Sequence, residues 1–182
     1  GIVWRNEKAG PGRYREFLQF DADVVGVQST YIDAELCIMA TNIFKSLGLN
    51  FDQFQIKYSN REIWDDLFKK IKINKQQESL VLRAIDKKDR VGIEGIKKLL
   101  QEGRKDQSGD FMEGVGLDDN QTEQIINFID NNNQSNQQLD EFKDYLSNYK
   151  EYPIKFDPSI VRGLDYYTGM VFEAELIMSV KN

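Results

Sequence analysis

The apolar and polar positions along the chain fall into three textures. Up to residue 59, strand-like and helix-like patterns are mixed. Residues 2–5 and 17–27 read as strands separated by the loop NEKAGPGRYRE, which Gly10, Pro11 and Gly12 mark, and they predict an antiparallel hairpin with a wide basic tip. Ser29 or Thr30 is placed to cap a helix that carries Leu36, Met39, Ala40, Ile43 and Leu47 at helical spacing, with Gly48 to end it. Phe54, Ile56 and Tyr58 then alternate with Gln55 and Lys57, the period of a half-buried strand. From residue 59 to residue 150 the alternation disappears and amphipathic patterns follow one another. Ser59 with Glu62 predicts a capping box opening a helix through Ile63, Leu67, Phe68 and Ile71, and further helices are expected near 75–87, 92–102, 119–131 and 136–149. The polar run NNNQSNQQ at 131–138 reads as the connection between the last two. Strand character returns at 152–156 and 170–177, where Met170, Phe172, Ala174 and Leu176 alternate with Val171, Glu173 and Glu175. Since runs of unlike elements segregate, the expected organisation is a core part at 1–59, a helical insertion at 60–150 and a second core part at 151–182, in an α+β fold.

Period-two geometry in the second strand puts Phe17, Gln19, Asp21 and Asp23 on one face. Leu18, Phe20, Ala22 and Val24 share the other, which is expected to lie in the core. Arg5, Arg13 and Arg15 flank the hairpin, and the arginine fork suits phosphate or carboxylate. Cations at one end and carboxylates at the other make a plausible seat for a zwitterion beside a polyphosphate.

Composition narrows the chemistry. With 182 residues, 40% hydrophobic and 30% charged, the chain is expected to fold rather than remain disordered. No apolar run is long enough to span a membrane and no secretion signal opens the chain, so a cytoplasmic protein is expected. The single cysteine, Cys37, excludes an internal disulfide and reads as a small apolar residue on a helix. The absence of histidine leaves no recognisable zinc site and removes imidazole acid/base schemes, so chemistry must run on Arg, Asp, Glu, Gln, Tyr and bound ions. The net charge of −6 hides an asymmetry: residues 61–105 carry 13 positive and 8 negative charges, residues 106–151 carry 2 and 11. Both a local contact with phosphates and a solvated helix face fit this pattern.

The stretch VWRNEKAGPGRYREFLQFDADVVG at 3–26 resembles the second signature motif of class II aminoacyl-tRNA synthetases, and VRGLDYYTGMVFEAE at 161–175 resembles the peptide peculiar to the histidyl-tRNA synthetase family. NREIWDDL at 60–67 and AIDKKDR at 84–90 resemble the same family, so the likeness extends along the chain. It implies a fragment of the class II antiparallel sheet flanked by helices, with an all-helical inserted subdomain. The implied activity is ATP-dependent activation of L-histidine to histidyl-adenylate and transfer to histidine tRNA, by a homodimeric enzyme that uses Mg2+ with the nucleotide.

The resemblance carries roles residue by residue. Arg5 matches the arginine that bridges the amino-acid carboxylate and the ATP α-phosphate. Glu7 and Arg13 match nucleotide contacts, and Phe17 the aromatic stacked on adenine. Gln19 matches a residue binding the amino acid, and Asp23 a carboxylate facing the imidazole, where many bacterial relatives have glutamate. Arg162 matches a catalytic arginine that stabilises charge on the α-phosphate, and Tyr166 and Tyr167 line the histidine pocket. No protein-held metal is implied. The basic segment 61–105 is expected to approach the tRNA acceptor stem. Because Gly1 opens inside a strand and the family's first and third motifs, its threonine-x-glutamate loop and its anticodon-binding domain are not in the sequence, an internal fragment that forms adenylate inefficiently is expected. The alternative is a histidine-sensing, non-catalytic regulatory subunit of ATP phosphoribosyltransferase, which shares the fold and part of the tyrosine peptide. The RYREF tip and the helical insertion favour the enzyme.

Overall fold

The computed structural model describes residues 1–6, 8–10, 13–106, 109–161 and 168–178. Strands β1 (Ile2–Trp4) and β2 (Glu16–Leu18) form the predicted antiparallel hairpin, with Val3 opposite Phe17. Ser29 caps α1 (Thr30–Ser46), its hydroxyl accepting from the Tyr31 amide, and Gly48 at φ +90° follows the helix end. β3 (Phe54–Asn60) pairs with β6 (Ile154–Phe156) in parallel and with β7 (Met170–Leu176) antiparallel, so the order is β6-β3-β7. The α+β class is as expected, while this sheet is mixed rather than wholly antiparallel.

Between β3 and β6 run α2 (Glu62–Lys70), α3 (Lys75–Ile85), α4 (Lys88–Leu100), α5 (Asp119–Asp130) and α6 (Gln137–Leu146). Their start signals are written in the sequence. Asn74 with Gln77 and Asp118 with Gln121 form capping boxes, and Asn136 caps α6 by accepting from Leu139. The Gln121 side chain also donates through Nε2 to the Ile71 carbonyl at 2.9 Å, satisfying the end of α2.

Two local expectations fail. Ser59 does not open a capping box, because β3 continues through it and Asn60, and both side chains are buried. Asn60 Oδ1 accepts from the Glu62 amide at 2.8 Å instead. The stretch 60–150 is also not all-helical: β4 (Gly103–Lys105) and β5 (Phe111–Glu113) form a second hairpin. Three-residue strands are too short to display alternation. Glycine marks this hairpin sterically, since a Cβ on Gly103 would collide with the Met112 carbonyl and one on Gly114 with that of Gln101.

One apolar core joins the sheet to the helices. Trp64, fully buried, packs on Phe68 and Phe128 at ring distances of 5.6 and 4.7 Å, and Tyr58 of β3 meets Phe142 of α6 at 4.5 Å. α1 buries Ala34, Cys37 and Thr41, spaced for one helix face, and is tied to α6 by a hydrogen bond from Thr30 to Glu141 at 2.9 Å. Leu36, Met39, Ile43 and Leu47 instead line an open groove.

The two described ends of the connection from β6 to β7 both meet the C-terminal end of β3. The chain leaves where the Asp157 amide donates to the Tyr58 carbonyl at 2.9 Å, and it returns where the Arg61 amide donates to the Gly169 carbonyl at 2.7 Å. Trp64 Nε1 donates to the Pro158 carbonyl at 3.1 Å, and Lys88 Nζ donates to Ser159 Oγ at 3.3 Å. The departing limb therefore rests on α2 and α4.

Candidate active site

The β1–β2 hairpin assembles three of the residues singled out in the sequence. Pairing of Val3 with Phe17 puts Arg5, Phe17 and Gln19 on the same face. The Arg5 guanidinium lies 5.1 Å from the centre of the Phe17 ring, within cation–π range, and its Nη2 donates to Gln19 Oε1 at 2.9 Å. Gln19 Nε2 in turn donates to Asp21 Oδ1 at 2.6 Å. One amide thus faces a cation with its oxygen and a carboxylate with its nitrogen. Asp21 was visible on this face in the alternation pattern, but nothing in that pattern showed that it orients Gln19.

The other face corrects an expectation. Leu18 and Phe20 are 79% and 78% exposed, and Val24 is 47% exposed, so the side predicted for the core is open to solvent. β2 ends at Leu18, which breaks the alternation that would have carried residues 20–24 into one sheet face. The half-buried residues are Val3 and Phe17 on the opposite side. Trp4 Nε1 donates to Glu16 Oε2 at 2.8 Å across the outer face and fixes the strand register there.

Arg13 closes the hairpin tip through backbone bonds with Gly10, donating at 2.9 Å and accepting at 3.0 Å. Asp23 stands apart from the Arg5 cluster. It lines the groove of about 650 Å3 between the loop after β2 and α1, together with Ala22, Val24, Leu36, Met39 and Ile43. Among the described residues that lining includes none of Arg5, Phe17 and Gln19. Glu7, Arg162, Tyr166 and Tyr167 lie outside the described residues. What the described geometry offers is a forked cation, a half-buried aromatic ring and an amide–carboxylate pair, suited to a planar base, a phosphate and a zwitterion.

Cys37 takes no part. It is fully buried, and burial, reinforced by the nearby Asp33 charge, pushes its thiol up to about 12, which keeps it protonated and unreactive. Among the described residues no group of three or more His, Cys, Asp or Glu side chains could hold a metal ion, and no helix is long and apolar enough to cross a membrane.

The chain matches the family model described as Histidyl-tRNA synthetase over residues 1–175. It is 40% identical to the histidine–tRNA ligase of Bartonella bacilliformis over 208 aligned positions, covering 100% of this chain and 42% of that protein. The histidine–tRNA ligase of Rhizobium meliloti is likewise 40% identical, with 100% of this chain and 41% of that protein covered. Among solved structures, a histidyl-tRNA synthetase from a Nostoc species superposes with a TM-score of 0.72 at 25% identity, over 97% of this chain and 43% of that one. A protein from Bacillus halodurans titled ATP phosphoribosyltransferase regulatory subunit/histidyl-tRNA synthetase shares the fold, with a TM-score of 0.57 at 17% identity over 84% of this chain and 41% of that one. The chain spans about two fifths of the length of the curated relatives it matches. With its second-motif hairpin, its mixed sheet and a family match that runs from Gly1 to Glu175, this chain belongs to the histidyl-tRNA synthetase family.

Proposed function

We propose that the chain is part of the catalytic domain of a histidine–tRNA ligase, which activates L-histidine with ATP and transfers it to histidine tRNA in the cytoplasm. In the first step a histidine carboxylate oxygen attacks the ATP α-phosphorus, the bond to the β-phosphate oxygen breaks, and pyrophosphate leaves. Arg5 is the bridge between the carboxylate and the α-phosphate, a task its two-pronged donor geometry fits. Phe17 stacks on adenine, while Glu7 and Arg13 hold the nucleotide. Gln19, Asp23, Tyr166 and Tyr167 read the amino acid, and Arg162 stabilises charge developing on phosphorus. A carboxylate and a phenol together match the one donor and one acceptor of neutral imidazole. Such a polar pocket discriminates strongly against apolar amino acids, which would leave it unsatisfied.

The observation that carries this reading is the Arg5–Gln19–Asp21 chain, which lines up a cation for phosphate and a polar pair for an amino acid on one hairpin face. Mg2+ enters as the ion bound to the nucleotide phosphates, where it would neutralise charge. Residues 60–150 are read as an inserted subdomain whose basic part approaches the acceptor stem, and the whole enzyme as a homodimer. The regulatory-subunit alternative is less supported, since relatives at 40% identity carry the ligase name.

The test is histidine-dependent exchange of pyrophosphate into ATP by the full-length protein, followed by charging of histidine tRNA. Exchange with histidine alone among the amino acids is expected. Histidine binding without exchange or charging would overturn the ligase reading in favour of a sensor.

A further inference from the structure

The Gln19 amide holds a cation and an anion apart at a fixed spacing. Its Oε1 accepts from Arg5 Nη2 at 2.9 Å, and its Nε2 donates to Asp21 Oδ1 at 2.6 Å. The oxygen and nitrogen of one amide are about 2.3 Å apart, so guanidinium and carboxylate are separated by a single small polar group. In an α-amino acid the nearer carboxylate oxygen lies about 2.7 Å from the nitrogen, almost the same span. The two charges are therefore set at the distance that the charged ends of an α-amino acid require, with matching polarity. Neither is used up by the amide. Among the described residues no hydrogen bond engages Asp21 Oδ2, or Arg5 Nε and Nη1. Gln19 is half-buried while Arg5 and Asp21 are exposed, so the amide lies lower than the charges it separates.

We propose that Asp21 binds the α-ammonium of the amino-acid substrate while Arg5 holds its carboxylate, with Gln19 as the spacer between them. This rests on the ligase reading and deepens it by giving the substrate's second charge a partner. An ammonium group carries donors only, so it needs an acceptor. The oxygen of Gln19 already faces Arg5, and an ammonium seated there would sit beside a like charge. Asp21 offers a free oxygen of opposite charge on the far side of the amide, where a charge-assisted bond forms without that repulsion. The direction of binding follows. The carboxylate end lies at Arg5, where it is held against the α-phosphate, and the ammonium points away. Orienting Gln19 would need only a neutral oxygen, whereas pairing with an ammonium makes use of the charge.

The test separates these two roles with the full-length protein and two ligands, L-histidine and imidazolepropionate, which is histidine without its amine. Asp21→Asn keeps an oxygen for Gln19 and removes the charge. By calorimetry it is expected to weaken histidine binding about 30-fold and to change imidazolepropionate binding by less than about twofold. Asp21→Glu, which keeps the charge on a longer arm, should restore part of the preference for histidine. Tm should stay near wild type in both variants, since the position is exposed. Equal weakening of both ligands by Asp21→Asn, or unchanged histidine binding, would overturn the proposal. If the unmodified protein shows no histidine-dependent pyrophosphate exchange, the ligase reading fails by itself, and the two-ligand comparison still decides whether Asp21 receives the ammonium.

Discussion

Arg5 and Gln19 are joined across the hairpin by a 2.9 Å hydrogen bond, and this bond aims the arginine. An arginine stacked on Phe17 could swing about the ring; the amide oxygen of Gln19 selects one direction. The consequence is a division of labour between two neighbours on one face. Arg5→Lys keeps a charge but loses the fork, and kcat for pyrophosphate exchange in the full-length protein is expected to fall about 100-fold. Gln19→Leu is expected to act mainly on histidine, raising its KM about tenfold. Tm should barely move for either, because substitutions at such open positions cost little. Parallel melting and exchange assays check this; loss of folding in step with loss of rate would contradict it.

The charge asymmetry makes a different prediction. Lys69, Lys70 and Lys72 are exposed at the end of α2, and the Lys69–Asp66 pair at 3.5 Å is too open to neutralise them. Reversing all three charges is expected to raise KM for tRNA about tenfold at low salt, an effect that fades as salt rises, while pyrophosphate exchange is untouched. Lys72 allows a control. Its φ of +58° makes it the one non-glycine residue in the left-handed region among those described, where it ends α2 ahead of the Ile73 amide bond to the Phe68 carbonyl. Lys72→Gly should stabilise the fold by about 1 kcal/mol, read as a shift in the urea midpoint. Unchanged tRNA kinetics in the charge-reversed protein would remove the acceptor-stem assignment.

Lys57 ties the three-stranded sheet together electrostatically. Its ammonium contacts Glu175 of β7 at 2.8 Å and Asp157, the residue after β6, at 3.7 Å. The hydrogen bond to Glu175 raises its pKa above the ordinary lysine value of 10.5, against the opposing effect of burial. A folded-state pKa above the unfolded one gives stability that is complete below the unfolded value and disappears as pH rises through the folded value. Urea midpoints should therefore decline above about pH 10. Glu175→Gln should lower the midpoint at neutral pH and flatten that decline, and the difference between the two proteins isolates the pair from tyrosine ionisation. Parallel curves across the alkaline range would show that the pair contributes nothing.

Much of this fold was legible because local signals and global packing agree. Asn74, Asp118 and Asn136 cap the helices they precede, and the alternation of Phe54, Ile56 and Tyr58 is the buried face of β3. Ser59 misled because the same S-x-x-E spacing that opens helices also arises when a strand runs straight into one. Its burial opposite Val171 depends on a strand more than a hundred residues away. The β4–β5 hairpin is held by backbone approach at Gly103 and Gly114, which leaves no apolar pattern to read. At the site, the shared face of Phe17, Gln19 and Asp21 was visible in period two, whereas its exposure was not, since nothing local tells which side of a hairpin is covered. Asn60 and Gln138 were the least legible. Each is an ordinary polar residue until the fold brings them to 2.7 Å.

The position of β3 has a consequence for how the chain is made. It lies between β6 and β7, so every ladder bond it forms waits for residues beyond five helices. Synthesis proceeds from the N-terminus, and residues 54–60 leave the ribosome long before residue 154 exists. Closing so long a loop is entropically costly until α2–α6 have collapsed and brought its ends together. For that interval Phe54, Ile56 and Tyr58 sit on a strand with two open edges. The central strand of the finished sheet is thus the most vulnerable segment of the nascent chain.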